Sequence, residues 1–156
     1  MQPTITNLDQ IKLVGISKTL NSMLTAESNS YVEIPRLWIQ FIEKKNDIQH
    51  RSSTVSTGYC LHTDSNHINY LAAVEVKEFN DLPEGLITQT IPGGKHAVFT
   101  HFGKLDHLKK TINYIYTKGL PQAGLRQRAE YHLEVYDHRF NPALDTSEFT
   151  IYIPIE

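Results

Sequence analysis

Apolar and polar positions alternate along some stretches of this chain and recur at helical spacing along others, and the changes of period divide it into elements. Residues 5–8 and 12–19 read as extended segments. Over residues 31–45, Ile34, Leu37, Trp38, Phe41 and Ile42 fall at the spacing of one helical face. Residues 54–62 and 68–79 are rich in Tyr, Val, Thr and Leu and flank the polar turn Thr63-Asp64-Ser65-Asn66-His67, which predicts a hairpin. From Leu86 the pattern starts again. An extended stretch 86–91, a Pro92-Gly93-Gly94 turn and a strand 95–102 precede a helix over 105–117, with Leu108, Ile112, Ile115 and Tyr116 on one face. Two strands, 130–138 and 148–155, close the chain across the turn Asn141-Pro142-Ala143-Leu144-Asp145.

The order of elements therefore repeats. Ile5-Thr6-Asn7 lies against Ile87-Thr88-Gln89, and Lys12-Leu13-Val14-Gly15-Ile16-Ser17 against Lys95-His96-Ala97-Val98-Phe99-Thr100, with a period of about half the chain. We expect an α+β fold of two β-α-β-β units, about 1–80 and 84–156, related by a pseudo-twofold axis. Antiparallel sheets and two main helices would then enclose a central cleft, and the 156 residues would form one domain or two fused halves. Junctions between such halves are frequent ligand sites.

The final strand pair carries the most informative chemistry. Alternation through Glu130-Tyr131-His132-Leu133-Glu134-Val135-Tyr136 puts Tyr131, Leu133 and Val135 on one face and Glu130, His132, Glu134 and Tyr136 on the other. The first face reads as core. The second places a carboxylate between a histidine and a tyrosine, either as solvated surface or as a carboxylate awaiting a cation. Held in an apolar cleft, an ionised Glu134 is costly without a partner, which would make it a selector for positive charge. Aromatic faces would add a cation-π contribution of about 0.5–2 kcal/mol each when desolvated. Trp38, Tyr59, Tyr70, Phe99, Phe102, Tyr136 and Tyr152 are the candidate walls, Tyr136 the best placed because it shares a strand face with Glu134. Most aromatics on strands and helix faces are core, so only some of these are expected at a ligand. His132 lies on the same face and could tune Glu134 or donate a proton to it.

Composition excludes several other functions. A net charge of -2, with Lys and Arg scattered, gives no electrostatic footprint for direct nucleic-acid binding. The single cysteine, Cys60, cannot form an internal disulfide and reads as a small core residue. The start Met1-Gln2-Pro3-Thr4 lacks a signal-peptide profile and no apolar run reaches membrane-spanning length, so a cytoplasmic protein with no membrane association is expected. His96, His101 and His107, and likewise His62 and His67, lie close in sequence without forming an i, i+4 pair or a Cys-bearing cluster, so no metal and no cofactor is expected. No phosphate-binding glycine loop or Ser-His-Asp signal stands out.

The runs Tyr70-Leu71-Ala72-Ala73-Val74-Glu75-Val76, Ile91-Pro92-Gly93-Gly94-Lys95-His96-Ala97-Val98-Phe99 with His101-Phe102-Gly103, Leu120-Pro121-Gln122-Ala123-Gly124 and Leu133-Glu134-Val135-Tyr136 resemble the GyrI-like small-molecule-binding domain, also called the AraC-type effector-binding domain. The resemblance implies a duplicated fold with an aromatic-lined cleft for organic compounds, often lipophilic cations, and a cleft Glu in an E-x-Y pattern that falls on Glu134 and Tyr136. It implies a stand-alone, multidrug-type binding protein of bacterial type, related to transcription regulators. No catalytic residue is expected for binding alone. Some relatives hydrolyse electrophilic natural products, and in that alternative Glu134 would be the general base. Others inhibit DNA gyrase, so a protein partner, either gyrase or the transcription machinery, is a third reading. No helix-turn-helix segment is evident, so the regulator activity of fused relatives does not transfer.

Overall fold

The computed structural model describes residues 1–156. The first half of the chain forms β1 (Thr4–Leu8), β2 (Ile11–Asn21), α1 (Ser30–Lys45), β3 (Arg51–His62) and β4 (His67–Val76). The second forms β5 (Ile87–Ile91), β6 (Gly94–Phe102), a helical run, β7 (Tyr131–Tyr136) and β8 (Glu148–Pro154). All eight strands join one antiparallel sheet in the order β1-β6-β8-β7-β3-β4-β2-β5. Exchanging each strand for its counterpart in the other half turns this order into itself read backwards. The fold is thus α+β with the pseudo-twofold arrangement that the repeat predicts, and the pseudo-axis runs through the central pair β3 and β7. Two strands rather than one precede each helix. The first strand of each half is exchanged, so that β1 lies on β6 and β5 on β2.

One face of the sheet is covered by helix in both halves. Leu37 and Phe41 of α1 pack on Val14, Cys60, Tyr70, Ala72 and Val74, with Trp38 and Ile34 at the margin. Ile42, expected on this face, is 60 % exposed, because a step of one residue from Phe41 turns it about 100° away around the helix. In the second half Leu108, Ile112, Ile115 and Leu120 cover Ala97, Phe99, Phe149, Ile151 and Ile153. The opposite face carries its own cluster of Leu13, Tyr59, Leu71, Ala73, Ile91, Tyr131 and Leu133. The central strands are therefore buried on both sides, and His132 and Glu134, the polar positions of β7, are enclosed rather than solvated.

The second helical run differs from the expected helix over 105–117. A 3-10 turn, Leu105–His107, leads into α2 (Leu108–Tyr114), a π-helical turn Ile115–Gly119 and α3 (Leu120–Gln122). The wider turn carries the run past residue 117, and Pro121 is tolerated because it sits at the start of the last segment. A β-carbon on Gly119 would come within 2.8 Å of the Phe99 ring, so close packing of this turn on β6 requires glycine there. Strand ends also move inwards: β4 stops at Val76 rather than residue 79, and β7 spans Tyr131–Tyr136, leaving Glu130 exposed before it.

Because Phe41 is fully buried and anchors α1 on the sheet beside Trp38, Phe41→Ala should lower stability by about 3–5 kcal/mol. The measurement is a denaturant midpoint at unchanged m-value. A loss under about 1 kcal/mol would mean that α1 is not held by this contact.

Candidate functional site

Glu134 sits at the middle of the sheet, on the helix-covered face, where the two helix clusters meet. It is 1 % exposed and has neither lysine nor arginine among its partners. Three side-chain donors satisfy it instead. The hydroxyls of Tyr70 and Tyr136 donate to Oε1 at 2.9 and 2.7 Å, and Nε2 of His132 donates to Oε2 at 2.9 Å. An ionised carboxylate only accepts, so the His132 proton on that edge is on Nε2. The indole N–H of Trp38 donates to the Tyr70 hydroxyl at 3.1 Å, which ties α1 to the carboxylate through β4.

Strand parity explains the convergence. His132, Glu134 and Tyr136 alternate onto one face, while Tyr70 comes from β4, two strands away across β3. The residue of β3 opposite Glu134 is Gly58, and a β-carbon there would lie 2.2 Å from the Tyr70 hydroxyl and 3.1 Å from Glu134 Oε1. Gly58 is the gap through which the tyrosine reaches the carboxylate. An isolated glycine inside a strand is a sequence signal for such an approach, although it does not say what approaches.

Burial by itself would raise the Glu134 pKa, but the hydrogen bond and charge of His132 and the two tyrosine hydroxyls outweigh it and hold the carboxyl below its ordinary value. Tyr70 and Tyr136 are pushed well up, by burial first and then by the Glu134 charge, so both remain hydroxyl donors. Tyr116, carried on the π-helical turn, places its hydroxyl 3.4 Å from His132 Nδ1. His62 stacks near both, with ring centroids 5.9 Å from Tyr116 and 5.8 Å from His132. Burial, followed by the positive charge of His132, lowers the His62 pKa to about 4.

Five of the residues singled out in the sequence are brought together: Glu134, His132, Tyr136, Tyr70 and Trp38. Trp38 also meets Tyr136 edge to face at 5.7 Å. The other four lie elsewhere. Tyr59 and Tyr152 have the opposite parity and join the cluster on the far face, as their common register partner Leu133 requires. Phe99 shares the helix-covered face but is separated from Glu134 by Ile151 and is buried beneath Gly119. Phe102, at the end of β6, is 63 % exposed. Sequence patterning does not bring Gly58, Tyr116, Phe140 and Phe149 to this site, the last two packed on Tyr136 at 4.7 and 4.6 Å, although Tyr116 is readable as a helical-face residue. A surface cavity of about 440 Å³ between α1 and β2 does not include Glu134 among its walls. Trp38, Tyr70 and Tyr136 pack around the buried Glu134.

Two outcomes follow from this geometry. Gly58→Ala should destabilise the fold by about 1–3 kcal/mol and shift Trp38 emission, since the new methyl collides with Tyr70. Equal stability and an unchanged spectrum would show that Tyr70 does not cross β3 there. For His62, the unfolded chain takes up its proton near pH 6.5 and the folded chain only near about 4. The unfolded state holds the extra proton between these values, so stability should fall as pH is lowered through that window and level off below it. Thermal unfolding across the window should show a shallower slope in His62→Gln, and an identical slope would assign the effect to another group.

A family model described as Cass2, the integron-associated effector binding protein, matches residues 4–155. The transcriptional regulator BrlR of Pseudomonas aeruginosa is 36 % identical over 124 residues, covering 78 % of this chain and 46 % of BrlR, so the chain spans about half the length of that curated relative. Among solved structures, SAV2435 bound to tetraphenylphosphonium superposes with a TM-score of 0.74 at 18 % identity, covering 100 % of this chain and 94 % of that one. EcmrR in its complex with DNA superposes with a TM-score of 0.70 at 16 % identity over 99 % of this chain and 57 % of EcmrR. At such identities the superpositions show the shared fold. No helix of the structure is long and apolar enough to cross a membrane. With the family match spanning nearly the whole chain, the protein belongs to the Cass2 family of effector-binding proteins.

Proposed function

We propose that this chain captures amphipathic organic cations at the junction between its two halves, with Glu134 as the counter-charge and Trp38, Tyr70 and Tyr136 as the walls. The observation that carries this reading is the buried carboxylate itself. It is held ionised at the centre of an aromatic cluster by two neutral hydroxyls and by its hydrogen bond and ion pair with His132, and no lysine or arginine is paired with it. Three of roughly four lone-pair sites are taken, which leaves acceptor capacity for a ligand. A cation entering between α1 and the second helical run would part the Trp38–Tyr136 edge contact and expose three aromatic faces to itself. Aromatic walls hold positive charge without demanding a particular outline, which suits ligands of varied shape.

The tetraphenylphosphonium bound by SAV2435 is a cation of this class and supports the choice of ligand. BrlR, a transcriptional regulator, and EcmrR, a DNA-bound relative, support a role in which ligand capture is passed on to transcription through a partner. The weakly acidic surface does not favour direct contact with DNA by this domain.

Trp38 is the only tryptophan, so its fluorescence reports on the site directly. Titration with tetraphenylphosphonium should give a saturable change in Trp38 emission, weakened about 10–100-fold in Glu134→Gln, the range expected for losing an interaction with a charged group. Neutral triphenylphosphine oxide should bind weakly to both. Equal affinity for the neutral compound, or no saturable response to the cation, would overturn the proposal.

A further inference from the structure

Cys60 and His62 lie two residues apart on β3 and project to the helix-covered face, and His132 on β7 is the direct cross-strand partner of Cys60. One donor atom from each of the three lies within 4.8 Å of the other two. Cys60 and His132 are 2 % and 1 % exposed. Nε2 of His62 is sealed from solvent and accepts or donates no hydrogen bond, the only buried side-chain nitrogen or oxygen in the protein left in that state. Leaving a buried polar atom without a partner is disfavoured, so an unpartnered imidazole nitrogen beside a second imidazole and a thiol calls for a reason.

We propose that Cys60, His62 and His132 form a binding site for a borderline-soft transition metal ion of the zinc class. A thiolate and two imidazoles select such an ion over calcium or magnesium, which take oxygen donors. His62 would ligate through the unpartnered Nε2. His132 has its Nε2 engaged by Glu134 and would ligate through Nδ1, the edge that now faces the Tyr116 hydroxyl at 3.4 Å. Glu134 then stands behind His132 as the carboxylate that fixes its tautomer and ring orientation, the usual outer partner of a metal-bound histidine. Donors on a tetrahedral zinc ion, with bonds of about 2.0–2.3 Å, lie roughly 3.3–3.8 Å apart, so a closure of about an ångström completes the set. Half-buried His62 can supply that movement. The fourth position falls to the Tyr116 hydroxyl or to water. On binding, the Cys60 thiol and the Nδ1 position of His132 give up their protons to solvent, and the ion with its thiolate leaves one net positive charge beside ionised Glu134.

The ion and the organic cation are separate ligands on opposite sides of His132, and neither assignment depends on the other. The test is a cobalt titration of the intact protein under reducing conditions. Cys60 is the only cysteine, so a thiolate-to-cobalt charge-transfer band can arise nowhere else, whereas surface pairs such as His67 with Asp64 would bind cobalt without it. We expect the band to saturate at one equivalent, to disappear on adding zinc, and to be absent in Cys60→Ser. His62→Gln removes a group without a partner, so the fold is retained and affinity should drop about tenfold or more. Glu134→Gln should weaken cobalt by about 10–100-fold through His132. Absence of the band in folded wild type at saturating cobalt, or unchanged affinity in His62→Gln, would overturn the site. Failure of tetraphenylphosphonium to bind would leave the cobalt band unaffected.

Discussion

The arrangement of the central strands follows from one constraint, that an ionised carboxylate is buried with His132 as its only cationic partner. Removing such a group from water costs several kcal/mol even after relaxation, and hydrogen bonds to a charged group return about 1.5–3 kcal/mol each. Three donors are therefore the scale of compensation Glu134 requires, and three are present. Each imposes a condition on a different element. His132 and Tyr136 must share the parity of Glu134 on β7, β3 must lack a side chain at Gly58, and Tyr70 must point across it from β4. Through the Trp38 indole the same constraint reaches α1 and fixes which side of that helix faces the sheet.

Against this chemistry the symmetry of the fold is only a frame. The sheet order is its own reverse, and each half covers the same face with helix, yet the polar residues are not shared evenly. β7 supplies Glu134, His132 and Tyr136, while β3, its symmetry mate, supplies Gly58, Cys60 and His62. An ancestral twofold site carrying two carboxylates would bring like charges together in low dielectric, which is strongly unfavourable. Giving one strand the acid and the other the gap avoids that repulsion and leaves room for the donors. The helices diverge in the same way. α1 is a regular helix that presents Trp38, whereas the second run contains a π-helical turn that presents Tyr116 to the other edge of His132. Such turns often occur at functional positions, and here its effect is to place a hydroxyl.

How much of this was legible depended on the period of each element. A strand alternates with period two, so placing Glu134, His132 and Tyr136 on one face needed no structure. The helical stripe likewise put Trp38 beside Phe41. Element order and the duplication were readable for the same reason. Residue type alone was a poor guide to which aromatics gather around Glu134. Tyr59 and Tyr152 are aromatic strand residues like Tyr70, but each is one step out of phase with the site, and one step along a strand reverses the face. Contacts made across several strands were not legible. The reach of Tyr70 over Gly58 is set by register across three strands, which leaves no mark in either segment by itself. Phe149 meets Tyr136 from the neighbouring β8 and Phe140 from the turn after β7, contacts fixed by the pairing of β7 with β8. Tyr116 was visible as a helical-face residue, but its contact with His132 depends on a local change of helical pitch.

The closed form of the junction bears on how a binding site of this kind discriminates. Tyr70 and Tyr136 satisfy Glu134, and Trp38 donates to Tyr70, so a ligand captured here as proposed must first separate contacts such as the Trp38–Tyr136 edge pairing, worth about 0.5–1.5 kcal/mol. Apparent affinity is reduced by the fraction of molecules that are open, and a ligand gains only the difference between its interactions with the open and closed forms. A neutral apolar compound offers surface burial but nothing to a carboxylate whose donors it disturbs. A cation replaces those donors with charge in a low-dielectric setting, where the same contact is worth more than in water. Under the proposed function, selectivity for positive charge would reside in the cost of opening as much as in the attraction of Glu134. A well-satisfied closed state would then reject neutral ligands by the same hydrogen bonds that keep the carboxylate ionised.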